Sequence, residues 1–306
     1  MSSSGSTRAI IAALFANAGI AVAKFIGFLI TASSSMLAEA VHSVADTSNQ
    51  ALLLVGQKRA RRDANSLHQF GYGRSRYFYS FVVALVLFTL GAAFALYEGY
   101  HKITHPTSLT SPLVAVVILV VAIGLESYSF RTAVVESRPL KGSGNWWQFI
   151  RYSRNPELPV VLLEDTGALL GLIFALLGVG LTVLTGNPIW DGIGTAAIGV
   201  LLGVIAVILM VEMHSLLIGE GATAEQCRAI ETAIVSTELV DRVIHLRTQY
   251  LGPEEILVGA KIALAPGIDL ATVAAAIDSA EAAVRAAVPV AAFIYLEPDL
   301  DRSVSR

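Results

Sequence analysis

The sequence predicts an α-helical membrane protein of six transmembrane helices followed by a small α+β domain. Three observations predict it. Hydrophobic residues make up 55% of the 306 positions and charged ones only 15%, with a mean hydropathy of +0.66, a balance no ordinary soluble domain has. Apolar windows long enough for a span, about 20 residues each, recur six times before position 214. After Met213 the composition turns to that of a water-soluble domain.

The windows cover 9–31, 34–57, 77–101, 111–130, 158–184 and 189–213. The segment before the first, MSSSGSTRA, is short and polar, and the apolar run after it is too long for a secretory signal and lacks a cleavage pattern. It is expected to be a retained first span. The second window is the least hydrophobic and carries Glu39, His42, Asp46, Asn49 and Gln50. Such groups are not tolerated against lipid, so this helix must face the bundle interior.

Loop charges orient the chain. Lys58, Arg59, Arg61, Arg62, Arg74 and Arg76 lie between windows two and three, and Arg131, Arg138, Lys141, Arg151 and Arg154 between four and five. The connections TASSS and TGNP carry no base. Positively charged loops stay inside, which puts both termini in the cytoplasm. Net charge is only -3, so no polybasic surface argues for nucleic acid, and the single Cys227 excludes an intramolecular disulfide or a CxxC zinc site. No HExxH or other catalytic signature occurs, and neither an enzyme nor a cofactor is expected.

The sequence LIGEGA (217–222) reads as a linker into a domain of roughly 90 residues. The expected order is a helix at 224–238, strands at 243–250 and 256–264, a helix at 270–287 and a strand at 291–297. This αββαβ order suggests helices layered on one sheet. The domains are thus 1–214, transmembrane, and 215–306, a cytoplasmic dimerisation module.

His42 and Asp46 share one helix face, because a four-residue step nearly completes a turn. Imidazole beside carboxylate is a ligand pair suited to a divalent transition metal. Each ionisable group at mid-membrane costs about 2.5–3.5 kcal/mol on insertion scales, so such groups commonly mark an ion path. A helix-to-helix hydrogen bond that glues the bundle is the alternative.

SSMLAEAVHSVADTSNQ (34–50), HQFGYGRSRYF (68–78) and LRTQYLGP (246–253) together resemble the cation diffusion facilitator family. The resemblance covers nearly the whole chain. It implies six spans, cytoplasmic termini, a metallochaperone-like C-terminal domain, and a homodimer exchanging zinc or a similar divalent ion for protons across the bilayer, in this case expected to be the plasma membrane. It also implies a metal site built from two helices, with His42 and Asp46 at the second-span positions. The fifth span departs from the family pattern: VVLLEDTGALLG (160–171) has adjacent Glu164 and Asp165, about 100° apart on a helix, and no ligand four residues from either. LLEDT is similar to the branch containing the mitochondrial zinc exporter of animals.

Asp165 is expected as ligand and Glu164 as a neighbouring proton acceptor or fourth ligand, with helix rotation able to exchange them and a structural pairing of Glu164 with Asn17 or Lys24 as the alternative. Imidazole favours zinc over manganese or magnesium; iron, cobalt and cadmium stay open, as does a non-transporting scaffold of the same fold. With an unperturbed pKa of roughly 6.5, His42 is suited to exchange protons for metal. His68 matches a family loop ligand, but Tyr72 and Asn65 stand where partners are common. Ile244, Ala260 and Tyr295 replace histidines of some relatives in the C-terminal domain, leaving Glu297 and an out-of-step His245. Asp191 reads as a helix cap, Glu98, His101 and His105 as a weak outer collecting patch or, more simply, as interfacial residues, Trp146 and Trp147 as interface anchors, and Gly19, Gly27, Gly171, Gly178 and Gly199 as close-packing positions.

Overall fold

A computed structural model describes residues 3–142, 144–265 and 267–299, with the backbone alone at 3–13, 15, 16 and 140. The outermost ends of the two expected domains, residues 1–2 and 300–306, lie outside the described residues. The chain divides into two compact units. One holds the residues through Lys58 with Tyr77–His214; the other joins the loop Arg59–Arg76 to the residues from Ser215 on. That loop was expected to belong with the membrane helices.

The first unit is helical. Its elements are α1 (Ser3–Thr31), α2 (Ser34–Ala60), α3 (Ser75–Val86), a π-helical stretch (Leu87–Ala93), α4 (Phe94–Thr104), α5 (Pro112–Lys141), the short α6 (Trp146–Tyr152), α7 (Glu157–Thr185) and α8 (Ile189–Ile218). Helix ends follow local chemistry: Pro112 opens α5 at a position needing no N–H partner, and Gly186, at φ 69°, closes α7 in the left-handed conformation. Asn145 and Gln148 form a reciprocal capping box on α6, placing Trp146 and Trp147 on a helix rather than in the expected loop.

Among the described residues, four helices are long and apolar enough to cross a membrane: Ser75–Thr104, Pro112–Pro139, Glu157–Thr185 and Ile189–Ile218, with a shorter apolar stretch at Asn17–Thr31. The count of four against an expected six comes from the first two helices. In α1 only the second half is described in side-chain detail, and α2 buries Ser34, Ser35, Glu39, His42, Ser43, Asp46 and Asn49 in place of apolar residues. Large apolar side chains such as Leu29, Val120 and Val200 point outward, while small residues let the helices close in. A Cβ on Gly99 of α4 would lie 2.6 Å from the Ala196 backbone nitrogen of α8. Gly27, Gly171, Gly178 and Gly199 are close-packed as expected, but Gly19 has nothing among the described residues within 4 Å of where a Cβ would be.

Asp191 caps a helix other than its own. Buried at the start of α8, its carboxylate accepts from the Ser34 N–H at 2.9 Å, the Ser35 N–H at 3.4 Å and the hydroxyls of Ser33 and Ser34 at 2.8 and 3.0 Å. These satisfy the free N–H groups that begin α2.

The second unit contains the αββαβ order: α9 (Ala224–Val235), β1 (Val240–Gly252), β2 (Glu255–Leu264), α10 (Leu270–Ala287) and β3 (Ala291–Pro298). The sheet runs β1-β2-β3, with β1 and β2 antiparallel across a tight turn and β3 parallel to β2 after the α10 crossover. Ile230, Ile234, Val258, Ile262, Val284 and Ile294 form its core. Here α9 ends three residues before the expected 238, and β1 starts three before the expected 243, because Leu239 takes a left-handed turn at φ 72° between them. Thr223 and Gln226 cap α9 reciprocally, and Asp269 accepts from the Thr272 N–H to cap α10. Hydrogen bonding from Thr272 holds the Asp269 carboxyl below its ordinary pKa.

Loop Arg59–Arg76 is tied into this unit. The Phe70 ring meets Phe293 of β3 edge-on at 5.2 Å, and Arg76 lies 3.6 Å from Glu254 in the β1–β2 turn. A Cβ on Gly73 would come within 2.8 Å of the Leu251 carbonyl.

Candidate metal centre

The centre is built on α2, α5 and α7. Within α2, His42 is fully buried and its Nδ1 lies 3.6 Å from Asp46 Oδ1, the four-residue spacing turning both toward the same face. Among the described residues, neither ring nitrogen of His42 nor Asp46 Oδ1 has a hydrogen-bond partner. Three polar atoms left unmatched inside a helical bundle would each be costly.

From α7, Glu164 projects toward α2, where Asn49 Nδ2 donates to its Oε1 and its carboxylate interacts electrostatically with that of Asp46. Asp165, the next residue, turns to α5 and accepts from the Ser129 hydroxyl at 3.1 Å. Glu164 thus faces the His42–Asp46 pair, while Asp165 hydrogen-bonds to α5 and still acts electrostatically on Asp46. The hydrogen-bond partner of Glu164 is Asn49 of α2, not the Asn17 or Lys24 of the alternative structural pairing.

Two further features were not legible in the sequence. Glu126 of α5 is buried and acts electrostatically on Glu39, Asp46, Glu164 and Asp165; a single acid in an otherwise apolar window gave no periodic signal. Gly91 of the π-helical stretch places its Cα side against His42, whose Nδ1 lies 4.0 Å from the position of a Cβ there. Single π turns concentrate at functional sites.

Against these acids the described centre holds one ammonium. Lys24 of α1 is buried, 3.0 Å from Glu39 Oε2 and 2.9 Å from Ser43 Oγ. Among the described residues, no three His, Cys, Asp or Glu side chains are gathered at metal-holding distance.

The residues at the family's secondary metal positions, where no complete site was expected, make structural contacts. Asn65 Oδ1 accepts from the N–H groups of Leu67 and His68 and its Nδ2 donates to the Tyr72 hydroxyl at 2.8 Å, while the His68 and Tyr72 rings pack at 4.4 Å. Glu297 lies 3.0 Å from Lys261 Nζ, which also bonds Asp299 at 2.9 Å; these bonds, that to Asp299 first, raise the ammonium's pKa.

A helical membrane unit enclosing a buried imidazole and carboxylates, followed by a small αββαβ unit, defines a class of polytopic ion-handling proteins. Residues 10–218 match the cation efflux transmembrane domain, and the chain belongs to that cation efflux, or cation diffusion facilitator, family. It is similar to the mouse and human proteins named "Proton-coupled zinc antiporter SLC30A9, mitochondrial", each at 34% identity over 72% of this chain and 39% of the relative. An Arabidopsis thaliana protein named "Metal tolerance protein C4" is 29% identical over 81% of this chain and 55% of its own. The chain thus spans well under half the length of the mammalian relatives. A solved structure of a MamM-CTD variant aligns with 26% of this chain and 96% of its own at 22% identity, with a TM-score of 0.25.

Proposed function

We propose that the chain is a divalent metal cation efflux transporter that exchanges Zn2+ for protons by alternating access. The observation that carries this is the buried His42–Asp46 pair, whose nitrogens and Oδ1 are unpartnered while Glu164 faces them from α7. Imidazole, two carboxylates and one open position for water suit zinc, which is held by nitrogen and oxygen donors at about 2.0–2.2 Å. Closing on the ion requires α2 and α7 to move together, with Glu164 leaving Asn49.

When zinc departs, the carboxylates are left without a counter-ion and take up protons in its place. Rocking of the helices around this fixed site would carry the two ions in opposite directions. The names of the mammalian relatives, which describe zinc antiport coupled to protons, support this choice of ions. They give no support to the plasma membrane expected from the sequence, since those proteins are mitochondrial by name. Residues 1–214 would form the transport domain, and 215–306 would pair two copies into a homodimer.

Zinc flux in proteoliposomes with an imposed proton gradient tests the proposal. Flux that dissipates the gradient and disappears in His42→Ala supports it. The absence of a gathered three-ligand cluster among the described residues favours one rival, a scaffold that keeps the fold without transport. A scaffold gives no flux in the parent protein.

A further inference from the structure

Two histidines at the end of α4 have no part in the transport centre. His101 and His105 are four residues apart, both exposed, and their rings are stacked with centroids 5.1 Å apart and planes inclined by 22°. The Tyr97 ring lies on the other side of His101 at 6.4 Å, restricting how far it can swing away.

The protonation pattern of His105 follows from its neighbour. Thr104 Oγ1 lies 3.0 Å from the Tyr100 carbonyl and 3.1 Å from that of His101, so its one hydroxyl hydrogen is committed to the backbone. The same oxygen lies 3.0 Å from His105 Nδ1. With that hydrogen on a backbone carbonyl, the ring nitrogen is the donor of this contact, which assigns His105 the tautomer protonated at Nδ1. In that tautomer Nδ1 carries the hydrogen and Nε2 keeps its lone pair. An acceptor that holds one ring nitrogen prepares the other for a metal in this way.

Local charge favours a cation as well. The pair sits on the last turn of α4, where unsatisfied carbonyls make the helix end negative. The neighbouring Lys102 is buried, bonded to the Ala32 carbonyl and the Thr107 hydroxyl and 3.9 Å from Asp191. Glu98 lies one turn before His101 and adds a negative charge.

We propose that His101 and His105 form a two-imidazole surface site for a borderline divalent transition-metal cation such as Zn2+ or Cu2+. The site lies at the C-terminal end of α4. With metal–nitrogen bonds of about 2.0–2.1 Å and a tetrahedral angle, the two Nε2 atoms must come to about 3.3 Å of each other. Side chains exposed at a helix end reach that by turning about their χ angles. Water fills the other positions, so Cu2+ binds more tightly than Zn2+ and Mg2+ is not held.

The test uses the full chain in detergent carrying His42→Ala, which removes the intramembrane imidazole and separates this site from the transport proposal. Equilibrium dialysis with Zn2+ alone is expected to retain one saturable equivalent. Adding either His101→Gln or His105→Gln should abolish it, and Thr104→Val, which removes the acceptor holding Nδ1–H, should weaken it on the order of tenfold. Cu2+ bound to the His42→Ala protein should display two-nitrogen coordination by electron paramagnetic resonance. An equivalent that survives removal of either histidine, or no saturable equivalent in the His42→Ala protein, overturns the proposal. Both histidines are exposed, so their loss leaves the fold intact, and the melting curve checks it.

Discussion

The ammonium of Lys24 sits 3.0 Å from Glu39 inside the helical unit, with both side chains at 1% exposure or less. Glu39 is three residues before His42 on α2, so this pair neutralises one acid beside the metal centre and leaves the others available. Removing one partner strands the other as an uncompensated buried charge. Lys24→Met is expected to destabilise the protein by about 3–5 kcal/mol, whereas Lys24→Met with Glu39→Gln recovers most of that loss. Thermal unfolding of the three proteins in one detergent reads the difference. A double variant no more stable than Lys24→Met would mean that the two residues act separately.

Asp191 gives a second stability prediction. Its carboxylate reaches across 157 positions to the Ser34 N–H and so fixes the entry of α2. Asp191→Ala removes the cap and four accepted hydrogen bonds and leaves Lys102 without its acid. A loss of about 2–4 kcal/mol is expected, above the usual range for a surface cap, because the groups left unmatched are buried. Asp191→Asn should recover part of it. A melting temperature unchanged in Asp191→Ala would show the cap to be redundant.

Close packing separates two glycines that look alike in sequence. Gly99→Ala forces a methyl to within 2.6 Å of the Ala196 nitrogen, so α4 and α8 must part, and a loss of about 1–3 kcal/mol is expected. Gly19→Ala meets nothing among the described residues within 4 Å and should be neutral or stabilising by up to about 1 kcal/mol. Melting temperatures of the two variants decide the point.

Asp269 makes a prediction in pH. Its hydrogen bonds from Thr272 lower its pKa in the folded protein, so its contribution is full above the unfolded carboxyl value and disappears as pH falls through the folded one. Amide-exchange protection at the start of α10 should therefore hold from neutrality to about pH 4 and weaken below it. Asp269→Asn keeps an acceptor without titrating, so its protection should lose that acid step. The step persisting in Asp269→Asn would assign it to another group.

How far the sequence could be read follows from what each signal encodes. Hydropathy windows and loop charges report the medium around a helix, and they sufficed for the helical class and for the αββαβ order after Met213. The four-residue step likewise put His42 and Asp46 on one face from spacing alone, because both lie on the same helix. Relations between helices were out of reach. Nothing local announces that Asn49 of α2 meets Glu164 of α7, that Glu126 joins the same cluster, or that Asp191 caps α2. The π-helical stretch was equally silent, since LFTLGAA reads as ordinary apolar helix.

The two adjacent acids of α7 supply the most discriminating experiment. A helix separates neighbours by about 100°, so only one of them can aim at an ion on α2. Here Glu164 faces Asp46 while Asp165 is held by Ser129 of α5. If the transport proposal is correct, Glu164→Gln should reduce zinc affinity at least tenfold, because an amide is a poor zinc ligand and the charge of the site falls. Asp165→Asn should change binding little, since its amide still accepts from Ser129. Binding titrations at fixed pH on the two variants, each with a melting curve, read this directly. Loss confined to Asp165→Asn would mean that α7 rotates on binding to present the other acid. Equal losses would mean that both coordinate. No loss in either would leave the ion to His42 and Asp46 with water, a weak site that favours the scaffold reading.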